Sequence, residues 1–212
     1  MNTIIELAFK LKGSAIPADH GYQLFSALTK TMGEIHNKGD VAIQNISGVP
    51  IDNRLLRLND GSRLAFRINS ENIEWLLPLT GRYLTLGGHE IQVGTPQTFN
   101  LKPTSRLYSR LVVIKGYMEP NEFLKAAGRQ LDALGIKGKP FLVPTNRSEG
   151  NTEGRGTKSS FLRRTIRISG KEVVGFALSF GELTAEESII LQEKGIGGRR
   201  HFGCGIFIPD RR

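Results

Sequence analysis

Ile5, Leu7, Phe9 and Leu11 alternate with Glu6, Ala8, Lys10 and Lys12, a period of two that predicts a half-buried strand near the amino terminus. Beyond Pro17 the spacing changes. Leu24, Phe25, Leu28 and Met32 recur every three or four residues, which predicts an amphipathic helix over 21–32 with Asp19 placed to cap its start and Gly33 and Gly39 at its exit. Segments 41–46 and 63–68 read as strands, with room for an extra ribbon at 54–58. Residues 70–79 read as a short helix and 83–93 as a strand with a turn at Gly87-Gly88. The resulting order is β-α-β-β-α-β.

A polar stretch, 100–106, carries Pro103 and reads as a link. After it the pattern restarts. Residues 107–114 alternate; Phe123, Leu124, Ala127, Leu131 and Leu134 then form one helical stripe within 119–134, closed by Gly135. Segments 141–144 and 161–168 read as strands flanking a Gly-, Ser-, Thr- and Arg-rich insertion, 145–160, whose composition marks a mobile surface loop. Residues 173–180 are rich in β-branched and aromatic side chains. Thr184 and Glu187 have the spacing of a capping box and predict a helix over 185–194, and 205–209 supplies a last strand. The second half therefore repeats β-α-β-β-α-β, without residue-level similarity to the first. The expectation is an α+β protein of two tandem ferredoxin-like domains, 1–99 and 107–212.

Charge adds a functional direction. The 212 residues hold 29 Lys and Arg against 20 Asp and Glu, a net +9, and the second half carries most of the excess. Within it, the 35 residues from 137 to 171 hold nine basic side chains against Glu149 and Glu153, a density that attracts a polyanion. One cysteine, Cys204, excludes an internal disulfide or a cysteine-based zinc cage. No apolar run reaches the ~20 residues that span a bilayer, and residues 1–12 do not resemble a signal peptide, so a cytoplasmic location with no membrane partner is expected.

The densest motif is the stretch 195–205, in which Gly195, Gly197, Gly198, Gly203 and Gly205 surround Arg199, Arg200 and His201. Glycines admit a bulky ligand close to the backbone, and arginine forks match phosphate oxygens, a combination suited to a nucleic-acid backbone. A dinucleotide fingerprint is excluded because it follows a strand and opens a helix, the reverse of the order here. No P-loop, nucleophile elbow or metal-ligand spacing occurs, so no metal or cofactor is expected.

The glycine-rich stretch after a helix, the doubled ferredoxin-like pattern, the basic second half, and the run Ile16-Pro17-Ala18-Asp19-His20-Gly21-Tyr22 leading through a helix to Glu34-Ile35-His36 together resemble one family. It is the CRISPR-associated endoribonucleases that cut precursor CRISPR RNA, members of the repeat-associated mysterious protein (RAMP) superfamily, and the likeness is greatest to the Myxococcus-type subgroup. The resemblance covers essentially the whole chain. It implies a protein that binds CRISPR repeat RNA and cleaves it without metal: the ribose 2′-hydroxyl attacks the adjacent phosphodiester, leaving a 2′,3′-cyclic phosphate and a 5′-hydroxyl.

In that family a histidine near the first helix acts as general base, a task suited to an imidazole. His36 is the leading candidate, His20 the second, and Tyr22 a candidate orienting or proton-shuttling hydroxyl. Where some relatives carry a tyrosine later in the helix this chain has Thr29, leaving the general acid open, with Lys30 and Lys38 near enough to stabilise phosphate charge. For RNA binding the candidates are the glycine-rich stretch with Arg199, Arg200 and His201, together with Arg155, Lys158, Arg163, Arg164 and Arg167. Arg163, Thr165 and Arg167 are expected on one strand face. The rival reading is a non-catalytic guide-RNA-binding subunit of a CRISPR effector complex; a regulatory ferredoxin-like domain with incidental charge is the third.

Overall fold

The structure is a computed structural model and describes residues 3–33, 35, 41–145 and 161–210. The chain divides into two units. The first, Met1–Lys102 with Ile166–Lys171 and Arg199–Gly203, contains β1 (Ile4–Lys12), β2 (Ala15–Pro17), α1 (Gly21–Met32), β3 (Ala42–Ile43), β4 (Val49–Ile51), β5 (Leu55–Arg57), β6 (Arg63–Asn69), α2 (Ile73–Leu76), β7 (Tyr83–Leu86) and β8 (His89–Asn100). Its main sheet runs β3-β6-β1-β8-β7, all antiparallel. Taking β1, β3, β6 and β8 as the four strands of the repeat gives the ferredoxin-like order. A small ribbon, β2-β5-β4, stands apart from that sheet.

Alternation in β1 works as the sequence implies. Ile5, Leu7 and Phe9 are buried in one cluster with Leu24, Phe25 and Leu28 of α1, and Phe9 meets Phe66 edge-on with centroids 5.9 Å apart. Fully burying each such side chain contributes roughly 1.5–3 kcal/mol. On the opposite face, Glu6 and Arg67 are cross-strand partners 3.4 Å apart, and Gln44 donates to the same carboxylate. Burial pulls the Arg67 guanidinium below its ordinary pKa, an effect the Glu6 charge opposes.

Several boundaries depart from the sequence pattern. Only Ala42–Ile43 of 41–46 pairs as strand; the Gln44 amide still donates to the Ala65 carbonyl at 2.9 Å, whereas the Ile46 amide is taken by a histidine side chain. The 70–79 helix is broken into an α-turn between two 3₁₀ turns, the second holding Pro78, which lacks the N–H an α-helix would use. The turn expected at Gly87-Gly88 does form: both glycines take positive φ, and 83–93 is a hairpin of two strands. The second of them, β8, pairs with β1 as far as Ile5↔Asn100, into the stretch expected to be linker. Asp19 does not cap α1: the N-cap residue is His20, with no side-chain cap bond.

The second unit, Pro103–Thr165, Glu172–Gly198 and Cys204–Arg212, holds β9 (Leu107–Val112), α3 (Pro120–Ala133), β10 (Pro140–Leu142), β11 (Arg163–Ile168, ending in the first unit), β12 (Lys171–Phe180), α4 (Ala185–Lys194) and β13 (Ile208–Pro209). The sheet order β10-β12-β9-β13 is again ferredoxin-like, with β11 beside β12. Phe123, Phe176, Phe180 and Phe207 anchor its core. The capping box forms as the spacing implies: Glu187 N donates to Thr184 Oγ1 at 3.2 Å and Thr184 N to Glu187 Oε2 at 2.9 Å. The expected carboxy-terminal domain, 107–212, is thus not contiguous, since two of its short segments belong to the first unit. No helix among the described residues is long and apolar enough to cross a membrane.

Candidate nucleic-acid interface and active site

Helix α1 organises the candidate site of the first unit. Its apolar stripe is buried in the sheet, which turns Tyr22 and Lys30 outward. The segment Arg199–Gly203 lies against the start of this helix. Gly21 makes that approach possible: a Cβ there would stand 2.6 Å from the Phe202 carbonyl oxygen. The His201 imidazole stacks on the Phe25 ring with centroids 5.4 Å apart and planes at 14°. Phe202 packs edge-on against Phe25 at 4.9 Å and lies 6.0 Å from the Tyr22 ring. Asn45 Nδ2 donates to the Gly203 carbonyl at 3.2 Å and holds the far end.

Arg199 takes a left-handed backbone conformation, φ 65°, and its side chain is exposed, while Arg200 and His201 are half-buried. Beside them lies the tip of the β11–β12 hairpin, where Ser169 Oγ donates to Tyr22 Oη at 3.2 Å and the Arg167 amide to Asp19 at 3.4 Å. A half-exposed tyrosine hydroxyl, an imidazole and the Arg199 and Arg167 side chains thus belong to one unit and one helix end. Such a group offers cations to phosphate and proton-carrying groups to an adjacent ribose.

His20 is 1% exposed, and both ring nitrogens face backbone: Nε2 accepts the Ile46 amide at 2.9 Å, and Nδ1, which must then carry the proton, donates to the Pro17 carbonyl at 2.9 Å. The Thr29 hydroxyl donates to the Phe25 carbonyl at 2.9 Å and so is directed into its own helix. His36, Lys38, Arg147, Arg155 and Lys158 lie outside the described residues.

The glycine-rich stretch splits by role. In the second unit Gly195 ends α4 with φ 63° and ψ −176°, while a Cβ on Gly197 or Gly205 would come within 2.6 and 2.2 Å of a carbonyl oxygen. In the first unit Gly203 would meet Asn45 in the same way. These glycines are required by the chain's own packing. Gly198 differs: its missing side chain faces open space and its φ is ordinary. Along β11, Arg163, Thr165 and Arg167 are exposed, whereas Arg164 and Ile168 are half-buried and Ile166 is buried.

Phe25, Phe202, Ser169 and Asn45 escaped the sequence reading. Phe25 carried only the signal of a core stripe, and its second role as a platform for His201 depends on a residue 176 positions away in the chain.

Comparison with known proteins bears on this arrangement. The sequence profile of the family Cas6, described as Cas6 Crispr, matches residues 5–212. The chain is 37% identical over 208 residues to the CRISPR-associated endonuclease Cas6 of Myxococcus xanthus, covering 98% of this chain and 82% of the relative. Among solved structures, a CRISPR associated protein Cas6 superposes with a TM-score of 0.66 at 12% identity, covering 98% of this chain and all of the other. The product of a Cas6-related gene from Pyrococcus furiosus gives 0.64 at 13% identity, with 98% and 99% covered, and a RAMP protein binding different RNA substrates gives 0.65 at 12%, with 98% and 100% covered. At such identities these superpositions speak to the fold.

Proposed function

The chain belongs to the Cas6 family of CRISPR-associated endonucleases, and from that premise we propose that this endoribonuclease cuts precursor CRISPR RNA within the repeat by a metal-independent transesterification. In that reaction the 2′-oxygen loses its proton and bonds to the adjacent phosphorus, the bond from phosphorus to the 5′-oxygen breaks, and the leaving oxygen takes up a proton. The products are a 2′,3′-cyclic phosphate and a 5′-hydroxyl. The single observation that supports this reading most is the seating of Arg199–Gly203 on the end of α1 beside Tyr22.

In this reading His36 is the general base, and Tyr22, oriented by Ser169, holds or relays a proton near the ribose. His20 is assigned to positioning: it ties the 41–46 segment to the start of α1 through Ile46. Arg199 and Arg200 hold phosphate, His201 stacks or bonds near the backbone, and Gly198 leaves room for the strand. Arg167 extends the basic surface of the first unit, and Arg163, Arg164, Arg155 and Lys158 are assigned to RNA binding by their charge. The test is incubation of purified protein with its own repeat RNA in excess EDTA, followed by analysis of product ends. A cyclic phosphate supports the reading; loss of cleavage in EDTA with rescue by Mg²⁺ overturns it.

A further inference from the structure

The Arg199–Gly203 turn of the first unit is held in an uncommon backbone shape. Arg199 at its start and Gly203 at its end both take left-handed conformations, with φ 65° and 79°. Inside the turn the Phe202 amide donates to the Arg199 carbonyl at 2.9 Å and the Gly203 amide to the Arg200 carbonyl at 3.2 Å. A left-handed arginine is disfavoured by its own Cβ and persists where the surroundings over-determine it. Part of that restraint comes from rings: His201 and Phe202 pack on Phe25, and Phe202 lies beside Tyr22. Ring contacts constrain a turn loosely, because dispersion is shallow and lacks the directionality of a hydrogen bond.

Asn45 supplies a directional restraint. Its Nδ2 donates to the Gly203 carbonyl at 3.2 Å, across 158 positions of the chain. The same carboxamide lies against two glycines: a Cβ on Gly203 would stand 2.6 Å from Oδ1 and nearer still to Cγ and Nδ2, and a Cβ on Gly21 would stand 3.5 Å from that oxygen. The backbone that carries Asn45 is itself fixed on both sides. The Gln44 amide donates to the Ala65 carbonyl of β6 at 2.9 Å and the Gln44 side chain to the Glu6 carboxylate, while the Ile46 amide donates to His20 Nε2 at 2.9 Å. Asn45 therefore reaches the turn from a segment tied both to the sheet and to the start of α1.

We propose that Asn45 is a positioning residue for RNA binding: its amide sets where the Arg199–Gly203 turn sits on α1 and so aims the Arg199 and Arg200 guanidinium groups at RNA phosphates. The proposal rests on the RNA-cleaving reading given above and adds to it a residue that acts through the two arginines. A guanidinium is a planar fork, and its paired bonds to phosphate oxygens need direction as well as distance. The backbone that carries the fork must then be held in direction too. Asn45 does this from the Gly203 end, and the close approach of Gly21 to the Phe202 carbonyl seats the same turn on the helix.

The experiment is a double-mutant cycle on the full chain, read with a fluorescein-labelled repeat RNA that carries 2′-deoxyribose at the mapped cleavage position, so that binding is measured without turnover. Wild type, Asn45→Ala, Arg199→Ala with Arg200→Ala, and the combination of all three are compared. Asn45→Ala should weaken binding about 2- to 12-fold, the worth of one hydrogen bond. In the arginine-free background the same substitution should change affinity by less than about twofold, because its effect passes through the side chains already removed. Asn45→Leu keeps a similar volume without the N–H and should behave as Asn45→Ala; it carries the cycle if the alanine protein fails to fold. On cleavable RNA at saturation, the single-turnover rate of either Asn45 variant should stay within about twofold of wild type, so that the loss falls on KM and not on kcat. An Asn45 effect of equal size with and without the arginines overturns the proposal, since a general loss of structure would act in both backgrounds. Unchanged affinity in both Asn45 variants overturns it too, as does a rate that falls at saturation while affinity holds. Wild-type protein that neither binds nor cuts repeat RNA overturns the RNA-cleaving reading as well.

Discussion

The His20 imidazole is clamped between the Pro17 carbonyl and the Ile46 amide, each 2.9 Å from a different ring nitrogen. The residue looks catalytic in the sequence because it precedes the helix that leads to His36. Its geometry instead ties the start of α1 to the segment after β3. His20→Ala should therefore destabilise the protein, at about 1–3 kcal/mol for each orphaned backbone group. Chemical denaturation checks this. A variant of wild-type stability that binds RNA but does not cut it would return His20 to the chemistry.

His36→Ala should lower the single-turnover cleavage rate about 100- to 10,000-fold, the yield of a positioned general base, with RNA affinity nearly intact. Rates and anisotropy titrations on the same repeat RNA separate the two quantities. Full activity in this variant removes His36 from the role of base.

Arg199→Ala combined with Arg200→Ala should weaken RNA binding and flatten its dependence on salt. For every phosphate that the protein no longer neutralises, the slope of log K against log salt falls by about 0.7 for a single strand and about 0.9 for a duplex. Titrations at several KCl concentrations give that slope. An unchanged slope refutes phosphate binding by this pair.

Gly21→Ala should act at a distance from its own position. The new methyl group meets the Phe202 carbonyl, and the backbone there must shift, disturbing the His201–Phe25 stack. Reduced RNA affinity with a smaller change in melting temperature is expected. Alanine at 21 with native affinity would mean that the seating of 199–203 on α1 does not matter for binding.

Acid stability offers a separate check on the second unit. The Thr184 amide, then the Lys137 amide, hold the Glu187 carboxyl below the usual glutamate pKa. A depressed folded-state pKa contributes stability above the ordinary value of about 4.3 and loses it as pH falls through the folded value. Glu187→Gln should lower the urea midpoint at pH 7 and make it less sensitive to acidification below pH 4. Parallel acid limbs for the two proteins would contradict this.

Local chemistry made much of this protein legible in one dimension. Period-two alternation located β1, three- and four-residue spacing located α1 and α3, and the Thr184–Glu187 pair located α4, because each signal concerns neighbours along the chain. The duplicated β-α-β-β-α-β order followed from them, and with it the ferredoxin-like sheets. Tertiary structure decided the rest. Whether His20 faces a substrate or the Ile46 amide, whether Phe25 is only core or also carries His201, and which glycines of 195–205 are claimed by the chain's own packing are all questions of proximity between residues far apart in sequence. Periodicity records which face of an element is apolar; it holds no information on which distant backbone group closes upon that face, and the functional reading depends on that closure.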